Sequence, residues 1–126
     1  MSDRPFLHAE RTHKAVQHAQ QHFHAALVAQ VEESIQTHAV VVVGMAQNPW
    51  PRKARTLLNS QGIAFHSLEI GSYCSQWKAR LALKMWAGWP TFPMVFVHGI
   101  LIGGFSDLLA LHKSGELQLL LHPKNE

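Results

Sequence analysis

From Ala25 to Thr37, Leu27, Val31 and Ile35 recur at four-residue spacing while Glu32, Glu33 and Gln36 occupy the other faces. This is the pattern of an amphipathic helix that packs on a sheet. Val40 to Val43 is an unbroken β-branched run without alternation, which predicts a central strand covered on both faces, and Gly44 ends it. Upstream, residues 1 to about 22 are polar and rich in His and Gln, with weak helical spacing through Leu7, Val16, Ala19 and Phe23, so an accessory helix is expected there.

Downstream, Arg52 to Ser60 carries helix formers with Leu57 and Leu58 turned inward, and Gln61-Gly62 supplies a stop. Ile63 to Ile70 reads as a second strand, broken by Gly71-Ser72. Ser75 to Ala87 reads as a buried helix carrying Leu81, Leu83, Met85 and Trp86, ended by Gly88-Trp89-Pro90. Met94 to Val97 and Ile100 to Ile102, joined across His98-Gly99, form a hairpin pattern. Ser106 or Asp107 is placed to cap a last helix from Leu108 to about His112, with Gly115 and a final turn around Leu117 to Leu121 beyond it.

The two strands joined through a helix are expected to be parallel, because such crossovers are almost always right-handed βαβ units, and the hairpin adds antiparallel partners. The fold class is therefore α/β: a four-stranded mixed sheet flanked by helices, preceded by an extra N-terminal helix. No internal repeat, linker or second core is visible.

Composition narrows the function. The 126 residues are 47% hydrophobic and 15% charged, ordinary for one globular domain. The formal charge of +3 comes from scattered Lys and Arg and not from a basic tract, so no nucleic-acid partner is expected. No apolar run approaches the roughly 20 residues of a membrane span, and the N-terminus lacks the apolar stretch of a signal peptide; no membrane partner and a cytoplasmic location are expected. The single cysteine, Cys74, excludes an internal disulfide, a Cys-x-x-Cys pair and a cysteine-rich zinc site.

Three spaced motifs are more specific. Arg80 to Val97 reads RLALKMWAGWPTFPMVFV; Ile102-Gly103-Gly104 is followed by Phe105-Ser106-Asp107-Leu108; Ser114-Gly115-Glu116-Leu117 closes the series. From about Ala25 to the end the chain resembles the glutaredoxins, most closely their monothiol branch, with its Arg, Leu and Lys, an aromatic, W-P-T-x-P, I-G-G and S-G-E-L. The resemblance implies a thioredoxin-like, three-layer fold over residues 25–126, with residues 1–24 as an accessory helical segment. It implies a cis bond before Pro93, with Thr91 and Phe92 presenting backbone to the cysteinyl part of glutathione. It also places Gly104, Phe105 and Ser106 at the γ-glutamyl end, and Arg80, helped by Lys84, on the glycine carboxylate.

Each residue also has a plainer reading. Arg80 and Lys84 lie four apart on one helix face and read equally as solvated charges. Phe105, Trp89 and Phe92 read as core aromatics, and Gly103-Gly104 is by itself a turn signal.

Against the family pattern, Asn48-Pro49-Trp50-Pro51 stands where C-P-Y-C or C-G-F-S is found, so Asn48 and Pro51 occupy both cysteine positions and no catalytic residue is assigned. Only a thiolate attacks a disulfide, and an amide cannot replace it. Asn48 is a good helix N-cap and Pro49 suits the first helical position, whereas Pro51 removes a backbone donor. Gly44, Met45 and Ala46 leave the family's upstream lysine without a counterpart, and Ser106 stands where the family has Asp. A shared [2Fe–2S] cluster needs the same cysteine, so none is expected.

The reading that follows is a non-catalytic module of redox homeostasis that binds glutathione, another thiol compound, an extended peptide or a partner protein beside Pro93, with Trp50 as one wall and Trp89 or Phe92 helping to form others. Two alternatives remain: a redox enzyme using Cys74 at a helix start, and a metal-binding segment using His18, His22 and His24. The ligand residues expected are thus Trp50, Arg80, Lys84, Thr91, Phe92, Pro93, Gly104, Phe105 and Ser106, with no metal site assigned.

Overall fold

The structure, a computed structural model, describes residues 7–71 and 76–122. Cys74 lies outside these residues, and with it the reading of a reactive thiol. A short 3-10 turn at Ala9–Arg11 leads to α1 (Lys14–His22) and α2 (Ala25–Thr37). Then follow β1 (Val40–Gly44), α3 (Pro49–Ser60), β2 (His66–Glu69) and α4 (Trp77–Ala87). The hairpin strands β3 (Met94–Val97) and β4 (Ile100–Gly103) precede α5 (Phe105–Ser114) and α6 (Glu116–Leu121).

The four strands form one mixed sheet in the order β2-β1-β3-β4. Strand β1 runs parallel to β2, with Val41 opposite His66, and antiparallel to β3, with Val41 opposite Phe96. The valine run is therefore central, and every residue of β1 is buried. Alternation divides its side chains between two cores. Val41 and Val43 meet Val31 and Ile35 of α2, Ala79 and Leu83 of α4, and Phe92, Met94 and Phe96. Val40 and Val42 meet Ala54 and Leu58 of α3, Leu108 of α5 and Leu117 of α6. A continuous apolar run is what a strand sandwiched by two helical layers requires, and burying each such side chain contributes about 1.5 to 3 kcal/mol.

Several boundaries differ from the sequence reading. Strand β2 is confined to His66–Glu69, because Ile63 and Phe65 pack on the α3 side of the core without joining the sheet. Helix α5 starts at Phe105, not Leu108, because its N-cap is Gly104, and the turn expected around Leu117 to Leu121 is a further helix, α6. Helix α4 is oriented differently from the expectation: it turns Ala79, Arg80, Ala82 and Leu83 inward and leaves Leu81, Met85 and Trp86 exposed. Ala79 and Ala82 let the helix sit close to the sheet, with Leu83 filling the core between them, while Leu81, Met85 and Trp86 are left on the outside. Helix α1 has no buried residue.

Candidate functional site

The loop after β1 and the first turn of α3 are shaped by three hydrogen bonds and one close contact. Ala46 N–H donates to the Gly71 carbonyl at 2.8 Å, and Ile70 N–H donates to the Gly44 carbonyl at 2.8 Å, tying the loop to the end of β2. Asn48 Oδ1 accepts from Trp50 N–H at 3.0 Å, so Asn48 is the N-cap and Pro49 the first helical residue, in line with the sequence reading. Pro51 is buried against Gly44: a Cβ at residue 44 would stand 2.6 Å from Pro51 Cβ and 2.7 Å from Pro51 Cγ.

This arrangement leaves the helix start poor in free donors. The first turn of an α-helix normally presents unpaired N–H groups that attract an anion. Here the first and third positions are proline, and the second, Trp50, gives its N–H to Asn48. Residues 49 to 51 thus offer an incoming ligand neither a nucleophilic side chain nor an open backbone N–H.

The opposite wall is built by the turn from β4 into α5. Asp107 Oδ2 accepts from Gly104 N–H at 2.9 Å, and Gly103 adopts φ +112°, which lets the chain pass close over the Asp107 carboxylate. Asp107 is the third residue of α5, the place from which an acidic side chain reaches back to the N-cap. Asp107, expected only as a cap for a helix beginning later, is thus a site residue absent from the expected set; its spacing of three from Gly104 is the signal for it. Replacing Asp107 with Ala is expected to remove this bond and destabilise the fold by about 1 kcal/mol, measured by urea unfolding.

Between these walls lies a cavity of about 230 Å³ lined by Trp50, Trp89, Thr91, Gly104, Phe105, Ser106 and Asp107. Trp50 is 48% exposed; Lys53 Nζ sits 4.2 Å from its ring centre and the Phe105 ring lies 6.0 Å away. Lysine on an indole face is a favourable cation–π geometry. Trp89 Nε1 is buried with no hydrogen-bond partner and lies 3.9 Å from where a Cβ on Gly104 would be. A buried donor left unpaired is uncommon, and a ligand acceptor at this spot would satisfy it. The Phe92–Pro93 peptide is cis, and both residues are buried.

Five of the nine expected ligand residues, Trp50, Thr91, Gly104, Phe105 and Ser106, thus converge on one cavity. Lys84 instead lines a neighbouring hollow of about 310 Å³ with Leu81, Met85, Gly88, Trp89 and Pro90, its Nζ 5.7 Å from the Phe92 ring centre. Arg80 is 7% exposed and donates from Nη1 to the Ile70 carbonyl at 3.1 Å. The reading of Arg80 as a solvated charge does not hold: this guanidinium braces the segment that holds the loop before α3. The N-terminal histidines do not gather around one point. The rings of His18 and His22 stack at 4.0 Å, and His24 packs edge-on to Phe23. Among the described residues no group of three His, Cys, Asp or Glu side chains could hold a metal ion.

The two-layered helical cover, the mixed sheet order and the cavity beside Pro93 define a thioredoxin-like protein. The buckwheat glutaredoxin–glutathione complex shares this fold, with a TM-score of 0.67 at 21% identity, covering 77% of this chain and 88% of that one. The Glutaredoxin family profile matches residues 40–102. A glutaredoxin-like protein of Dictyostelium discoideum is 48% identical over 95 residues, 75% of this chain and 77% of the relative. Monothiol glutaredoxin-S11 of Oryza sativa subsp. japonica is 32% identical over 98 residues, covering 74% of this chain and 19% of that longer protein. The chain belongs to the glutaredoxin family.

Proposed function

We propose that this glutaredoxin-family chain binds glutathione or another small thiol peptide in the cavity between α3 and α5, as a module of redox homeostasis, without performing thiol–disulfide exchange. The observation that carries the reading is the first turn of α3, where two prolines and the Asn48 cap leave neither a thiol nor a free backbone N–H from Pro49 to Pro51. Exchange requires a thiolate stabilised at such a helix start. The opposite wall keeps recognition groups: Ser106, the Trp89 indole N–H beside Gly104, and the Trp50–Phe105 aromatic surface. That buckwheat glutaredoxin was obtained as a glutathione complex supports the choice of ligand.

The same residues do not fit an iron–sulfur cluster. Fe–S clusters are held chiefly by thiolates, and the N-cap of α3 offers the Asn48 amide.

Calorimetric titration with glutathione tests the proposal. Wild type is expected to release or absorb heat and to melt at a higher temperature with ligand. Trp50→Ala is expected to weaken binding by about fivefold, the loss of about 1 kcal/mol of aromatic contact. No heat and no melting shift at millimolar glutathione would remove the small-ligand reading.

A further inference from the structure

Helix α4 has a second apolar face. Trp77, Leu81 and Met85 follow one another at four-residue intervals along its outer side, 60%, 41% and 55% exposed. On a helix of 3.6 residues per turn these three make one stripe, with Lys78 on one edge and Lys84 on the other. The inner side is already occupied by the core through Ala79, Ala82 and Leu83, with Arg80 buried beside them. The outer stripe is therefore not part of the core, and about half of its surface is left to solvent.

Two further features say what this stripe suits. The chain has no Asp or Glu from Ile70 to Ser106, so no acid within α4 or the segments adjoining it in sequence offsets the two lysines; Glu32 of α2 is the acid on the far flank. Met85 also lines hollows on both sides of the helix, one with Ala82, Trp86, Val28, Gln20 and Glu32, the other with Leu81, Lys84 and Trp89, which makes the stripe a ridge. A ridge suits a deformable medium, which meets it without a matching shape. A second copy docked through the same stripe would bring lysines against lysines.

We propose that α4 lies on an anionic phospholipid surface, with Trp77, Leu81 and Met85 entering the boundary between headgroups and acyl chains and Lys78 and Lys84 on the phosphates. Apolar residues with Trp on one side and lysines reaching outward are the composition of interfacial helices. The absence of a long apolar run bears only on spanning the bilayer; among the described residues no helix is long and apolar enough to cross it. The ridge adjoins the candidate site, because Trp89 lines both the Lys84 hollow and the cavity at Trp50. Docking by α4 would thus hold the ligand cavity beside the membrane surface.

The test is co-sedimentation with phosphatidylcholine vesicles, with and without phosphatidylserine, together with emission spectra of the tryptophans. Wild type is expected to bind only the phosphatidylserine vesicles, with a blue shift that Trp77→Phe diminishes. Each lysine near an anionic surface is worth roughly fivefold in partition, so Lys78→Gln/Lys84→Gln is expected to weaken binding by about 25-fold. Leu81→Ser/Met85→Ser is expected to abolish it while leaving the circular dichroism melt in place, since both side chains are exposed. Absence of binding to phosphatidylserine vesicles overturns the proposal, as does binding that both double variants retain. Self-association of wild type that Leu81→Ser/Met85→Ser dissolves would also overturn it, by assigning the ridge to a second copy. Glutathione titration of Leu81→Ser/Met85→Ser, which changes none of the expected ligand residues, keeps this result separate from that of the ligand cavity.

Discussion

Asn48→Cys/Pro51→Ser is expected to reduce a glutathione mixed disulfide, whereas wild type and Cys74→Ser are expected to show no turnover. The substitution at Asn48 places a sulfur at the N-cap of α3, and the one at Pro51 returns an N–H to the third helical position. The new thiolate would attack the glutathionyl sulfur, release the substrate thiol and be restored by a second glutathione, which leaves as the glutathione disulfide. A hydrogen bond to a charged acceptor contributes about 1.5 to 3 kcal/mol, which corresponds to a thiolate pKa lower by about one to two units. The double variant should therefore alkylate at lower pH than Asn48→Cys alone, which keeps both prolines. Loss of the Asn48 cap is expected to destabilise both variants by about 1 kcal/mol, so activity is read well below their melting temperatures. Turnover by wild type, abolished by Cys74→Ser, would assign the chemistry to Cys74 and defeat the non-catalytic reading.

The largest stability effect is expected at Gly44. Gly44→Ala places a Cβ 2.6 and 2.7 Å from two carbons of the Pro51 ring, which is rigid and buried. Neither side can give way by rotating a bond, so β1 and α3 must move apart. Overpacking of this kind costs about 1 to 3 kcal/mol, and at roughly 4 °C per kcal/mol the melting temperature should fall by about 4 to 12 °C. Gly44→Val should be worse. Pro51→Gly removes both clashing carbons, so Gly44→Ala/Pro51→Gly should lose less than the sum of the single changes, by on the order of 1 kcal/mol. Strict additivity in urea unfolding would show that the two residues are not coupled. Gly44 and Pro51 are thus a matched pair: a proline in this loop needs a strand end without a side chain.

Much of this was legible in the chain. The valine run announced a central strand, the four-residue spacing of Leu27, Val31 and Ile35 announced α2, and Asn48-Pro49 announced the start of α3; each rests on local rules of periodicity or capping. The grouping of Trp50, Thr91, Gly104, Phe105 and Ser106 was reached only through family resemblance, since these residues lie on separate segments. The outer face of α4 is not legible in the same way. Periodicity shows that a helix has apolar positions, but Ala79, Ala82 and Leu83 face the core as readily as Leu81 and Met85 could have.

What the sequence by itself determined, then, is the order of elements, the single cysteine and the capped start of α3, because these depend on composition and neighbouring residues. Only the tertiary structure decided that β3 pairs with β1, that Arg80 is buried on the Ile70 carbonyl, that Asp107 closes the wall of the cavity and that Trp77, Leu81 and Met85 are left outside. The pairing and the burial follow from how separate segments pack around one sheet. Asp107 turns on where α5 begins, and the exposed stripe on which side of α4 the sheet takes.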